Sequence, residues 1–148
     1  MNDLPTIRAI TQVDRAVWAE FRAALWPEES AAEHMREIER AFAAGDLWVF
    51  FAEAKGRAVG FAEVAVRRYA NGCEQQPVAF LEGIWVAADV RRQGVGRALM
   101  DHIRAFLRAR GHNELCSDAL LDNTTSHAAH KSWGFTETER VVYFRTPL

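Results

Sequence analysis

The 148 residues are 49% hydrophobic and 26% charged, the balance of an ordinary globular chain long enough for one substantial core. Lys and Arg number 18 against 20 Asp and Glu, a net charge of −2, so the basic excess of a nucleic-acid binder is missing and the chain is not acidic enough to stay unfolded. No apolar run approaches the ~20 residues of a membrane span, and "MNDLPTIRAI" lacks a secretion-signal pattern.

No repeat or linker interrupts the chain, so residues 1–148 read as one domain. "PTIRAI" (5–10) predicts a short strand. From Val13, the four-residue spacing of Val13, Val17, Phe21 and Leu25 predicts a helix face. Pro27 disfavours helix at Trp26 and ends it. A second helix is expected over about 30–43, with Ala31, Met35, Ile38 and Phe42 inward and Gly45 as the stop. "LWVFFAEA" (47–54) and "AVGFAEVAVRRY" (58–69) predict strands joined at Lys55-Gly56, a hairpin signal. "VAFLEGIWV" (78–86) is apolar nearly throughout and predicts a central strand. Val95, Leu99, Ile103 and Phe106 predict a helix ending at Gly111. "ELCSDAL" predicts another strand, Asn123 to Trp133 a helix closed by Gly134, and "ETERVVYFRT" a last strand. The order β-α-α-β-β-β-α-β-α-β is that of a mixed α/β sheet. Cys73 and Cys116 set neither a disulfide framework nor a metal spacing, which fits a reduced cytoplasm. Cys116, mid-strand, reads as buried filler rather than a nucleophile.

Between the central strand and the next helix stands "VRRQGVGRAL" (90–99). A Walker loop needs Gly-Lys-Ser/Thr, and a dinucleotide fingerprint needs glycine where Leu99 stands; both are excluded. Two readings stay open. One is a plain turn with solvated arginines. The other is a helix N-terminus whose free amides, with Arg91, Arg92 and Arg97, bind a ligand carrying several phosphates. Gly83, inside the central strand, favours the second: glycine there marks a bulge or a close approach, and a strand pried from its neighbour offers backbone groups to an extended ligand. A diphosphate at one end and a peptide-like arm along the strand describe coenzyme A.

Arg91, Gly94 and Gly96 resemble the R/Q-x-x-G-x-G/A signature of the GNAT N-acetyltransferases, and "DNTTSHAAHKSWGF" resembles the family's downstream block. Over nearly the whole chain, "LWP", "YANG", "PVAFLEGIWV", "CSDALLDN", "SHAAHKSWGF" and "ETERVVYF" are similar to the aminoglycoside 6′-N-acetyltransferases. The resemblance implies the GNAT fold, a mixed central sheet flanked by helices, with fourth and fifth strands splayed into an acetyl-CoA cleft. It implies an enzyme that moves acetyl from acetyl-CoA to the 6′-amine of an aminoglycoside antibiotic, a resistance activity, in the cytoplasm. Homodimers are common among such enzymes, and Trp133 and Tyr143 would suit an interface. It assigns acetyl-CoA to Ile84, Trp85, Val86, Arg92, Gln93, Gly94, Val95, Gly96, Arg97 and Asn123, and the drug to Trp26, Tyr69, Glu82, Asp118 and Glu139.

The chemistry agrees. A polycationic sugar needs carboxylates. Glu82 stands in an apolar strand and Asp118 ends the adjacent one; the bland alternative for Glu82 is a structural pair with Arg67. Glu29, beside Trp26, offers another acidic wall. The attacking amine must lose a proton, for which Glu82 or Asp118 is the acceptor. His130 stands where related transferases carry a tyrosine that protonates the departing thiolate; packing against the cofactor is the competing role. His127 and His130 share a helix face, but no third ligand is spaced for zinc, so no metal is expected. Two other destinations for the acetyl group stay open, a protein N-terminus or a small polyamine. A non-catalytic acetyl-CoA-binding module is the third alternative.

Overall fold

The computed structural model describes residues 4–148; Met1 to Asp3, the first residues of the stretch searched for a signal, lie outside it. The chain order is β1 (Thr6–Ala9), a 3-10 turn (Gln12–Asp14), α1 (Arg15–Leu25), α2 (Ala31–Ala44), β2 (Leu47–Ala54), β3 (Arg57–Arg67), β4 (Val78–Val86), a second 3-10 turn (Ala88–Val90), α3 (Val95–Arg108), β5 (Leu115–Ser117) and α4 (Thr124–Ser132). The five strands lie in sequence order in one sheet. β1 to β4 run antiparallel, and β5 is parallel to β4.

Strand alternation divides the core into two layers. Val49 and Phe51 of β2 and Phe61 of β3 face Trp18, Phe21, Ile38 and Ala41 of α1 and α2. Phe50, Ala52, Ala62 and Val64 face Val95, Leu99, Met100, Ile103 and Leu107 of α3. Those α3 residues fall on one helical stripe, and Phe106, expected among them, is half-buried at its border. The ends of α2 follow local rules. Ser30 Oγ accepts from Glu33 N at 3.2 Å while Glu33 Oε2 accepts from Ser30 N at 2.6 Å, a reciprocal capping box. Gly45, at φ 64°, closes the other end. Lys55 and Gly56, both at positive φ, form the β2–β3 turn.

The structure corrects four expectations. Val13 precedes α1 and is 89% exposed, because the helix starts at Arg15 and its buried face is Trp18, Phe21 and Arg22. Ala31 is exposed on the first turn of α2, where His34 takes the inward place. The strand expected at 137–146 is absent: residues 135–148 join no ladder, and Val142, Tyr143 and Phe144 are 73%, 80% and 90% exposed. Alternating apolar residues favour a strand, but only a partner edge makes one. Finally, Cys73 and Cys116 form a disulfide, with Cα atoms 6.4 Å apart. The loop after β3 folds back onto the start of β5, where the Glu114 carboxylate accepts from Glu74 N at 2.9 Å and Gln75 N at 2.8 Å.

Candidate active site

β4 is paired with β3 along its whole length, but with β5 only from Ala79 to Leu81. On the β5 side, Gly83 to Val86 have no strand partner among the described residues, so the backbone groups that point that way lack ladder bonds, Val86 O accepting from Arg91 Nε instead. The open edge expected from the sequence is therefore present, with a different cause. The ladder stops because β5 ends at Ser117.

Gly83 answers to another constraint. A methyl group there would lie 2.7 Å from Cη2 and Cζ2 of Trp26 and 2.8 Å from Leu25 Cδ2. Glycine makes room for the indole. Its neighbour is the extra residue of a bulge: Glu63 pairs with Gly83 and Val64 with Leu81, leaving Glu82 unopposed. Glu82 accepts from Arg67 Nε at 2.9 Å and Nη2 at 2.7 Å, and the Arg67 guanidinium lies 3.6 Å from the centre of the Phe80 ring. The bond to Glu82, with smaller contributions from Asp118 and Tyr143, raises the Arg67 pKa above its ordinary range. Arg67 is thus paired with Glu82. The pairing of Glu82 with Arg67 weighed in the sequence is real, and it leaves both groups half-exposed at 25% and 42%. Glu82 and Trp26 border one cleft of about 320 Å³.

The other drug-side candidates lie at the rim. Tyr69 is 67% exposed on the loop after β3. Glu139 is exposed on the tail beside Gly72 of the same loop; a methyl at Gly72 would lie 3.8 Å from its Cβ. Glu29 is exposed after α1, its carboxylate 3.4 Å from His34 Nδ1.

Among the residues expected to meet the cofactor, Ile84 and Val86 pack toward α3 while Trp85 faces α1, its ring centre 5.0 Å from that of Phe21. Arg91 Nε donates to Val86 O at 2.9 Å, and Gln93 Nε2 to Asp89 O at 3.3 Å. Arg92 is exposed at φ 60°. The two loop glycines differ. Gly94 caps α3 at φ 86° with nothing within 4 Å of a would-be Cβ, so it makes the turn. Gly96 lies inside the helix, where a Cβ would sit 3.0 Å from the Trp133 indole; it makes room for a side chain. Val95 is 4% exposed and offers only its backbone. Arg97 donates to Ser132 O and braces α3 against α4. The first amides of α3 have no preceding carbonyl within the helix and remain donors for an anion. Gly96→Glu therefore has to displace Trp133 as well as bring charge to that helix end. We expect acetyl-CoA affinity to fall by about tenfold or more, whereas Gly94→Ala carries mainly backbone strain of about 1–2 kcal/mol. Calorimetric titration checks this; parent-like affinity in Gly96→Glu would move the diphosphate elsewhere.

Asn123 Oδ1 caps α4, accepting from Ser126 N at 3.1 Å. His130 Nδ1 lies 2.7 Å from Ser126 O and Nε2 lies 2.8 Å from Ser117 Oγ. A carbonyl only accepts, so Nδ1 carries the proton and Nε2 can accept from the Ser117 hydroxyl. Both ring nitrogens are engaged, and Ser117 Oγ, whose one proton can go either to His130 Nε2 or to Leu81 O at 3.3 Å, stands between His130 and the last rung of the β4–β5 ladder. Ser117 carries no motif that would have singled it out. Among the described residues, Cys73, Glu114 and Cys116 form the one group with metal-ligand atoms within 4.8 Å, and its two sulfurs are spent on the disulfide. No helix of the described residues is long and apolar enough to cross a membrane.

Residues 10–135 match the acetyltransferase (GNAT) family. An aminoglycoside N(6′)-acetyltransferase type 1 of Stenotrophomonas maltophilia is 47% identical over 146 residues, covering 97% of this chain and 94% of the relative. The chain belongs to the aminoglycoside N(6′)-acetyltransferases of the GNAT family. A type 1 enzyme of Klebsiella aerogenes is 42% identical, with both chains covered in full. Among solved members of this family, AAC(6′)-Iy in complex with the bisubstrate analogue CoA-S-monomethyl-acetylneamine superposes with a TM-score of 0.90 at 35% identity, covering 99% of this chain and all of that one. Apo AAC(6′)-Ig from Acinetobacter haemolyticus gives 0.90 at 37%, covering 97% and 99%.

Proposed function

We propose that this chain, acting as one catalytic domain, transfers the acetyl group of acetyl-CoA to the 6′-amine of an aminoglycoside and so confers resistance. The observation that carries this reading is that Glu82 and Asp118 directly follow Leu81 and Ser117, the last paired residues of β4 and β5, at the bulge where β4 loses its β5 partner. One end of that open edge is acidic and the other runs into the helix start at Gly94. Polycationic drug and polyanionic cofactor then enter from opposite ends.

In the reaction, the pantetheine arm pairs with the free edge of Ile84 to Val86 while its diphosphate takes the amides of α3. Trp26, Tyr69, Glu82, Asp118 and Glu139 hold the drug. Glu82 or Asp118, directly or through a water, removes a proton from the 6′-ammonium so that the neutral amine attacks the thioester carbonyl. An N–H on the open edge stabilises the oxyanion. Collapse expels the CoA thiolate, which takes up the second proton shed by the attacking nitrogen, directly or through water; with a leaving-group pKa near the ~8.5 of cysteine, little help is required of His130. Holding the two reactants together supplies much of the rate. The exposed, strand-like tail at 141–144 supports a homodimer in which it finds its partner edge on a second copy. Dependence on acetyl-CoA supports a cytoplasmic setting, in which Cys73 and Cys116 would be held as thiols rather than as the disulfide.

The test is a panel of purified protein, acetyl-CoA and aminoglycosides with either an amine or only a hydroxyl at the 6′ position. Turnover is expected for the first group and background for the second. Equal turnover of both would sink the regiochemistry, and turnover of neither would sink the reading.

A further inference from the structure

Four charged or ionisable side chains are buried: Asp14, which pairs with Arg8, and a separate group of Glu63 at 2% exposure, Arg22 at 5% and His34 at none. Glu63 Oε1 accepts from Trp18 Nε1 and from Arg22 Nη1, each at 2.6 Å. Desolvating an ion pair is costly, and well-packed apolar residues of similar volume often serve a fold as well or better. Stability alone therefore gives little reason for this pair.

Its other contacts all reach Trp26. The Arg22 guanidinium lies 4.7 Å from the centre of the Trp26 ring, and Arg22 O accepts from Trp26 N at 2.7 Å. His34 Nε2 lies 3.1 Å from Trp26 O, so it is the protonated nitrogen, which leaves Nδ1 to accept from Arg22 Nε at 3.3 Å. Trp26 itself stands outside α1, at φ −123° and ψ 72°, with Pro27 after it. α1 holds only its backbone N–H, so the placement of the indole rests on side-chain contacts. Glu63, the anchor of the network, is the β3 residue directly across from Gly83, on which the indole rests.

We propose that Glu63, Arg22 and His34 are positioning residues that clamp Trp26 on the β4 bulge and thereby set affinity for the aminoglycoside. The inference rests on the reading of Trp26 as a drug contact. Arg22 and Glu63 border the same cleft as Trp26 and Glu82, so a loosened indole would swing into the space that the drug occupies.

Three variants test it. Trp26→Ala probes the contact. Arg22→Lys keeps the charge opposite Glu63 but loses the planar stack and the bond to His34. The double variant Arg22→Met with Glu63→Leu removes both charges while keeping bulk. For Arg22→Lys and the double variant, the drug KM is expected to rise about tenfold or more, as misplacement of a binding group does, with the acetyl-CoA KM within about twofold and the melting temperature near the parent's. The Trp26 resonance in 5-fluorotryptophan-labelled protein, identified by its loss in Trp26→Ala, should broaden or split. A folded Arg22→Lys with the parent's drug KM and a single sharp Trp26 resonance overturns the inference; if the double variant fails to fold, Arg22→Lys decides. Trp26→Ala with an unchanged drug KM sinks the reading of Trp26 and this inference with it. A raised KM in Trp26→Ala beside a parent-like Arg22→Lys sinks the inference alone.

Discussion

Replacing Glu82 with Gln is expected to lower kcat/KM for an aminoglycoside about 100-fold and to leave the acetyl-CoA KM within about twofold. Gln keeps the side-chain length at the bulge but removes an anion from the acidic end of the cleft and a proton acceptor from the amine. The difficulty is that Glu82 also pairs with Arg67. Arg67→Met separates the two roles. It removes the same ion pair and leaves the carboxylate in place, so a Glu82 that serves only as a structural partner would give both variants the same kinetics. A Glu82 that meets the drug gives a severe defect in Glu82→Gln and a mild one in Arg67→Met. Steady-state kinetics over both substrates decides, and equal effects would remove Glu82 from the chemistry.

The second large effect is on stability. Opening the Cys73–Cys116 bond in the oxidised protein with a thiol reductant is expected to cost about 4 kcal/mol, the chain-entropy value for cysteines 43 residues apart. For a chain of this size, that is a fall of about 10 °C in melting temperature. Cys116→Ser should show the lower value with or without reductant. A shift below about 2 °C would mean that the loop is held by other bonds, such as those from Glu74 and Gln75 to Glu114. The same bond ties the loop bearing Tyr69 to the strand leading into Asp118, so the drug KM should rise with reduction even below the melting transition.

The sequence reading succeeded where neighbours along the chain decide the outcome. β4 falls at 78–86 as expected because an apolar run covered on both faces has no alternative, and Pro77 marks its start. The capping box of Ser30 and Glu33 and the Lys55-Gly56 turn are local for the same reason. The misses concern what lies across space. Gly83 marks the bulge and close approach expected of it, but what approaches there is the Trp26 indole, and Gly96 makes room for that of Trp133; neither partner could be named from the chain order. The pairing of Cys73 with Cys116 depends on a loop folding back over β5, which no spacing encodes. Arg22 on the apolar face of α1 and Glu63 within "VGFAEVAV" were visible as charges in the wrong place, and that misplacement was the available signal of a buried pair.

β5 is three residues long, and its brevity leaves the neighbouring stretch of β4 in need of hydrogen-bond partners. The chain turns away at Asp118 and spends residues 119–123 reaching the start of α4. Were β5 to continue alongside Gly83 to Val86, its backbone would satisfy those groups intramolecularly, at an effective concentration no dissolved ligand could match. If acetyl-CoA pairs with this edge as proposed, a lengthened β5 would make the protein a competitive inhibitor of itself, better folded by every measure of sheet completeness and unable to admit its cosubstrate. On that proposal, incompleteness of the sheet is what makes room for the ligand. Insertions at residues 119–121 that favour extended backbone should trade activity for stability one residue at a time.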